Sequence, residues 1–210
     1  MPAGFAAYAR VLHPAYLGAD ENAVEVRWAT VAAAIGREAH AGMQWVALTG
    51  SWDSYYSGRQ PGLFDQPPSP GSLPTAQARH LVSALERFTT AADDCFFAVW
   101  EGIGAPAVPP DRVATLAMPG RTMLVLRGSL SDAATVSMAQ APFEQSPSLW
   151  WPADRAWCVA TDIDLVSTYV GASAACIDAI LAEPSLEAWP ANPDDRVDGE
   201  SDTRNPTPPP

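Results

Sequence analysis

Apolar residues at helical spacing predict three helices in this chain. The clearest covers residues 74–89, where a proline suits the first turn. Its apolar residues fall on one face, at Ala78, Leu81, Val82, Leu85 and Phe88. Two shorter helices are predicted at 28–35 and at 173–181, where Ser173 is the expected N-cap.

Short apolar runs of strand length fill much of the remaining chain. They lie at 5–11, 43–48, 95–100, 113–118, 122–126, 157–161, 165–170 and 186–189. The turn signal Pro119-Gly120 predicts that two of them form an antiparallel hairpin. We therefore expect an α+β fold with one domain over 1–190, in which helices pack on one face of a mostly antiparallel sheet.

Two segments show no apolar periodicity. Residues 49–73 are dense in Gly, Pro and Ser and predict a long loop, a length that is usually functional or disordered. Aromatic residues such as Trp52 and Phe64 favour an ordered loop. Residues 191–210, in which Pro and Asp prevail, predict a disordered acidic tail.

The overall charge restricts the classes of partner. Apolar residues make up 48% of the chain and charged residues 17%, which is enough apolar material for a folded core. The net charge of -12 argues against binding to nucleic acids or anionic membranes, because that affinity depends on basic side chains. All 12 basic residues are arginines, so lysine chemistry such as Schiff-base formation or a phosphate-binding P-loop is excluded.

Cysteine usage and the N-terminal sequence predict a cytoplasmic protein. The first residues show no basic leader followed by an apolar run, and no later stretch has the length of a membrane span. Cys95, Cys158 and Cys176 are widely spaced and predict neither disulfides nor a zinc site. No cofactor is indicated.

One local pattern resembles the nucleophile elbow of hydrolases. Gly171-Ala-Ser173-Ala-Ala175 lies between a predicted strand and a predicted helix, as GxSxG does. The final glycine is missing, and all three histidines precede Ser173, whereas that family places its histidine after the serine. We therefore interpret Ser173 as an N-cap.

Two carboxylates suggest a metal site as the alternative hypothesis. Asp162 and Asp164 would lie on the same side of an extended strand and could share a divalent cation. His40 or Glu101 would then act as the base of a metal-assisted hydrolase. The spacing of the other carboxylates is not that of a known metal motif, and solvated carboxylates at a turn are the simpler interpretation.

Aromatic residues in predicted loops are the best candidates for binding. Eight tryptophans are present, and those in apolar runs, namely Trp28, Trp45, Trp100 and Trp157, are predicted to lie in the core. The loop aromatics and nearby arginines have the composition of binding hot spots. These candidates are Trp52, Tyr55, Tyr56, Arg59, Trp150, Trp151 and Arg155. The alternative is that the loop aromatics fold back over the core.

Residues 146–190 carry a resemblance to known sequences. The stretch SPSLWWPADRAWCVATDIDLVSTYVGAS, followed by a predicted helix and LEAWP, resembles uncharacterised proteins of GC-rich actinobacteria. The resemblance implies a bacterial cytoplasmic setting and brings no activity, cofactor or catalytic residue.

The sequence as a whole favours a protein-binding or regulatory module over an enzyme. Its acidity suits a partner with a basic surface, since opposite charges speed association. An immunity protein that neutralises a basic nuclease is one specific form of this hypothesis. The metal-assisted hydrolase is the alternative function, and the oligomeric state stays open.

Overall fold

The fold is described from a computed structural model of the chain. It describes residues 3–18, 22–53, 58–102, 114–135, 137 and 145–209. Four helices are present in this part: α1 Trp28–Ala34, α2 Trp45–Thr49, α3 Thr75–Leu85 and α4 Ala174–Leu181. The strands are β1 Ala7–Leu12, β2 Ala15–Leu17, β3 Val24–Val26, β4 Cys95–Trp100, β5 Ala114–Met118, β6 Arg121–Gly128, β7 Leu149–Pro152, β8 Cys158–Ala160, β9 Ser167–Ala172 and β10 Ala188–Ala191. Short 3-10 helices lie at Glu86–Phe88 and Leu130–Ala134.

Eight strands form one antiparallel sheet in the order β10-β1-β9-β8-β7-β4-β6-β5. β2 and β3 form a separate two-stranded sheet. The hairpin of β5 and β6 turns at Pro119-Gly120 as predicted, with Gly120 at a φ of 74°. The α+β class and the antiparallel sheet are therefore confirmed.

The main core lies between the sheet and helices α3 and α4. Ala78, Leu81 and Leu85 of α3 and Ile177 and Ile180 of α4 pack there. Alternate residues of the strands supply the other side of this core, because successive side chains point to opposite faces. This layer agrees with the helices predicted on one face.

A second core lies at the β1 end of the sheet, around helices α1 and α2. Trp28 of α1 and Trp45 of α2 are fully buried there and pack ring against ring, with centroids 5.2 Å apart. Arg10 reaches this layer from β1, and its guanidinium lies 5.4 Å from the Trp28 ring. Arg10 and Val11 point to opposite faces, so the sheet also carries helices on its other face, at this end.

Helix α2 corrects the strand predicted at 43–48. The apolar run Trp45–Leu48 is buried all round, and periodicity cannot separate a buried strand from a short buried helix. Gly50 ends the helix in the left-handed conformation, at a φ of 70°. This stop signal was available in the sequence.

The C-terminal segment 192–209 packs against the domain. The Asp202 carboxylate accepts a hydrogen bond from the Gln44 amide at 3.1 Å and lies 3.0 Å from His40 Nε2. The side-chain amide of Asn205 pairs with the backbone of Glu38 in both directions, at 2.9 Å each. The predicted disorder of residues 191–210 is not supported here, because a few buried polar side chains anchor a segment that composition alone marks as too polar to fold.

Candidate functional site

One half of the sheet carries large apolar side chains that belong to neither core. They lie on the face opposite α3 and α4; on β4, β6 and β7, Met123 is buried at 3% exposure and five others are partly exposed. We call this set the aromatic face: Phe96 and Trp100 of β4, Val125 of β6, and Leu149 and Trp151 of β7. Among the described residues, no helix packs over these strands.

Strand alternation explains how these residues reach the surface. In β4, Cys95, Phe97 and Val99 enter the main core, so Phe96 and Trp100 point to the opposite side. In β7, Trp150 is 1% exposed and packs against Trp157 in the core. Its neighbour Trp151 therefore faces outward.

Arg127, Phe96 and Trp151 form a ladder across three neighbouring strands. Phe96 lies opposite Arg127 on one side and opposite Trp151 on the other. The rings of Phe96 and Trp151 stack, with centroids 5.7 Å apart and planes 18° apart. The Arg127 guanidinium lies 5.7 Å from the Phe96 ring centroid, in the range of a cation-π contact.

Asp94 holds the outer end of this ladder. Arg127 Nε and Nη2 donate to its two carboxylate oxygens at 2.5 and 2.7 Å, a bidentate pair. The hydrogen bonds from Arg127 hold the pKa of Asp94 below its usual value. Both groups thus stay charged at neutral pH, and the guanidinium is fixed over the ring.

A second arginine closes the other end of the aromatic face. Arg121 lies 5.7 Å from the Trp100 ring centroid. Its guanidinium donates to Asp162 at 3.0 Å and to Asp164 at 3.5 Å. These two carboxylates lie in the turn between β8 and β9, outside any strand.

Further carboxylates surround the Arg127 end. Asp94, Asp154, Asp132 and Asp93 all act electrostatically on the Cys95 thiol, which lies at this end of β4 and points into the main core. Burial, and then these four charges, raise the pKa of Cys95 to about 11. At this end of β4 the carboxylates outnumber Arg127, so the sheet has an acidic border beside the aromatic face, and Asp94 is the carboxylate in contact with Arg127.

The geometry weighs against the predicted metal site at Asp162 and Asp164. The structure does bring the two carboxylates together, but their common partner is the Arg121 guanidinium. In the described part of the chain, no three acidic, histidine or cysteine side chains form a group that could hold a metal ion. The predicted bases lie elsewhere: His40 pairs with Asp202, and Glu101 is exposed beyond the end of β4.

The predicted binding residues are scattered over the molecule. Trp52 is 36% exposed and donates from Nε1 to the Pro208 carbonyl at 3.2 Å, so the C-terminal segment lies beside it. Arg59 and Arg155 are exposed, and Trp150 is buried in the core, which removes it from any binding surface. Tyr55 and Tyr56 lie outside the described residues.

The remaining chemical candidates have structural roles. Ser173 caps α4, and its Oγ accepts from the Cys176 amide at 3.3 Å, as the N-cap interpretation expects. A cleft of about 720 Å³ beside the start of α3 is lined by hydroxyl groups and Arg79. Several of those hydroxyls accept hydrogen bonds from neighbouring backbone amides, such as Ser146 Oγ from Leu73 at 2.9 Å.

Sequence reasoning found Trp151 but missed most of the aromatic face. Trp100 is predicted to lie in the core, and a choice of aromatic residues in predicted loops leaves out Phe96, Arg121 and Arg127. The signal was present in the strand CFFAVW, which is apolar on both faces. In an antiparallel sheet such a strand needs either a second covering layer or a partner.

Comparisons with known proteins add no assignment: no protein-family model, curated protein or solved structure matches this chain. No helix in the described ranges has both the length and the apolar character needed to cross a membrane.

Proposed function

We propose that this chain is a protein-binding module that engages its partner through the aromatic face. The observation that carries the proposal is the set of five large apolar side chains left outside both cores, on sheet strands without a covering helix in the described part. Contiguous apolar patches of this kind mark interaction sites. Trp and Arg, both present here, are the residues most enriched at binding hot spots.

The fixed positions of Arg127 and Arg121 favour a binding role over simple exposure of the apolar side chains. Arg127 and Arg121 are each held by carboxylates and lie against aromatic rings. Their side chains therefore lose little further freedom when a partner docks, and this lowers the entropy cost of binding. A surface with fixed side chains is better prepared for association than one with free arginines.

The acidic borders define the chemistry of the partner. Asp93, Asp94, Asp132 and Asp154 lie at one end and Asp162 and Asp164 at the other. A complementary surface has an apolar centre with Arg or Lys at its edges. The immunity-like role predicted from composition is one form of this proposal.

Substitution of Trp151 tests the site. Trp151→Ala removes half of the stacked pair, and we expect partner capture from the native cytoplasm to be lost. With a purified partner, the Kd should rise about 30-fold or more, as for a hot-spot residue. Because Trp151 is partly exposed, the variant should remain folded, which a thermal melt verifies.

Trp52→Ala is the matched control, since it removes an exposed tryptophan from another part of the surface. It should leave capture unchanged. Capture that survives Trp151→Ala but is lost in Trp52→Ala would move the site to the loop and contradict the proposal. Association should also slow as salt increases, because the acidic borders steer a basic partner.

A further inference from the structure

β5 forms one edge of the large sheet. It lies last in the strand order and pairs with β6 alone among the described strands. All five of its residues are exposed, with Leu116 at 37% and Met118 at 40%. An edge strand presents a row of backbone N–H and C=O groups that can pair with another strand.

The sequence of β5 lacks the usual protection of an edge. Its five residues, ATLAM, include no charge and no proline, and these are the devices by which natural sheets prevent edge pairing. The opposite edge differs, because β10 contains Pro190, which has no N–H to donate. The two edges are therefore not equivalent.

From this edge we propose that β5 pairs antiparallel with β5 of a second copy of this chain, which joins the two large sheets into one. The proposal rests on the backbone edge of β5 and not on the aromatic face, although Leu116 pairs with Met123 and so points to the same side of the sheet as Trp100. The partner strand is that of a second copy, because the side chains of β5 fit against those of an identical antiparallel strand.

A two-fold axis through Leu116 gives a register without conflict. Leu116 then lies opposite its own copy, and Ala114 lies opposite Met118, so a small side chain meets a large one at both ends. These three residues share one face, and Thr115 meets Ala117 on the other. No charged residue takes part, so the net charge of -12 places no like-charge pair across the axis.

The expected dimer is weak and reversible. A strand of five residues spans about 17 Å, and pairing over that length gives an interface at the small end of the known range. We therefore expect a monomer–dimer equilibrium with a Kd on the order of 100 µM. Sedimentation equilibrium of the full chain, from about 10 µM to about 1 mM, covers this range.

Charge at position 116 tests the register. Leu116→Lys places two like charges opposite each other across the axis, so the dimerisation Kd should rise at least tenfold. Leu116→Glu should act in the same way. An equimolar mixture of the two variants should dimerise again, because the heterodimer sets opposite charges face to face.

Val24→Lys is the matched control, since Val24 is a 63% exposed apolar residue on β3 of the other sheet. It should dimerise like the unchanged protein. Circular dichroism melts of each variant separate a loss of pairing from a loss of fold.

Three results would overturn the proposal. The first is an unchanged protein that stays monomeric over the whole range. The second is folded Leu116→Lys and Leu116→Glu variants whose mixture dimerises no better than either alone. The third is a dimer that survives both charges but is lost in Trp151→Ala, which would place the contact on the aromatic face.

Discussion

His13 shows how a single buried residue fixes its own protonation state. Its Nδ1 lies 2.7 Å from the Ser69 carbonyl oxygen, which only accepts, so Nδ1 carries the proton. Nε2 therefore accepts from the Thr168 hydroxyl at 2.9 Å, and Thr168 in turn accepts from Thr161 at 2.7 Å. Burial lowers the pKa of His13 to about 4, so the ring is neutral at physiological pH.

This residue should make stability depend on pH. The unfolded chain binds a proton below about 6.5 and the folded chain only below about 4, so stability is complete above pH 6.5 and is lost as the pH falls toward 4. This difference between the pKa of His13 in the unfolded and folded chains corresponds to about 3 kcal/mol in the free energy of unfolding. Urea unfolding at a series of pH values should show this loss of stability. The loss should be absent in the His13→Asn variant.

His80→Asn is the control, because His80 is exposed on α3. It should keep the pH dependence of the unchanged protein. A His13→Asn variant with the same slope between pH 6.5 and 4 would show that other groups cause the loss.

Arg155 holds an unusual backbone conformation for a residue with a side chain. It is exposed in the turn between β7 and β8 and has a φ of 56°, in the left-handed region that glycine prefers. Arg155→Gly should therefore raise the free energy of unfolding by roughly 0.5–1 kcal/mol. Arg155→Ala should give no such gain, and equal stabilities of these two variants in chemical denaturation would argue against backbone strain.

At the scale of elements, the C-terminal segment depends on few anchors. Asp202 and Asn205 are its buried residues in the described part, and both are polar. Burial alone would raise the pKa of Asp202, but the backbone amides of Asn205, Arg204 and Gln44 outweigh it and hold the pKa below its usual value. The segment is therefore attached through the hydrogen bonds of these two buried polar side chains.

Asp202→Ala should loosen this segment. It removes the acceptor of the Gln44 amide and the carboxylate beside the His40 ring, and we expect a loss of roughly 2 kcal/mol in the free energy of unfolding. Limited proteolysis should then cut within 192–209 at lower protease concentration. Asp194→Ala, at an exposed position in the same segment, should change neither measurement. If Asp202→Ala has the same stability and the same protease sensitivity as Asp194→Ala, then Asp202 does not anchor the segment.

The elements differ in how well the sequence predicts them. Helix α3 follows from its apolar periodicity, and strands β4 and β6 follow from short apolar runs of strand length, all of which are local features. The sequence predicts a loop at β7 because Trp150-Trp151 is followed by a proline. Strand β7 forms by pairing with β4, which lies about fifty residues earlier in the chain. Anchoring of the C-terminal segment likewise depends on contacts such as Asp202 with His40, which lie 162 positions apart.

The candidate site was also predictable only in part, because some of its features are local in sequence and others depend on long-range strand pairing. An exposed Trp151 follows from its neighbour Trp150 once both lie in a strand, because alternate side chains point to opposite faces. The stacking of Phe96 on Trp151 needs the order of β4 and β7 in the sheet, which one sequence does not contain. The sequence therefore indicates which residue types could bind a partner, but it does not show which of them lie together on one surface.

At the scale of the whole molecule, one sheet separates two different surfaces. Helices α3 and α4 cover one face, whereas α1 and α2 cover only the β1 end of the other. The remaining strands expose the aromatic face between acidic borders, within a chain of net charge -12. Apolar attraction and charge repulsion thus act on the same surface, so a partner without basic residues is disfavoured there.

The difference between the two sheet edges sets a limit on growth. A protein that can pair at both edges assembles into open filaments, because each added copy leaves another edge free. Here Pro190 interrupts the donors along β10, so of the two edges of the large sheet it is the β5 edge that offers an unbroken row. Symmetric pairing at β5 consumes that row in both copies, and assembly therefore stops at two chains.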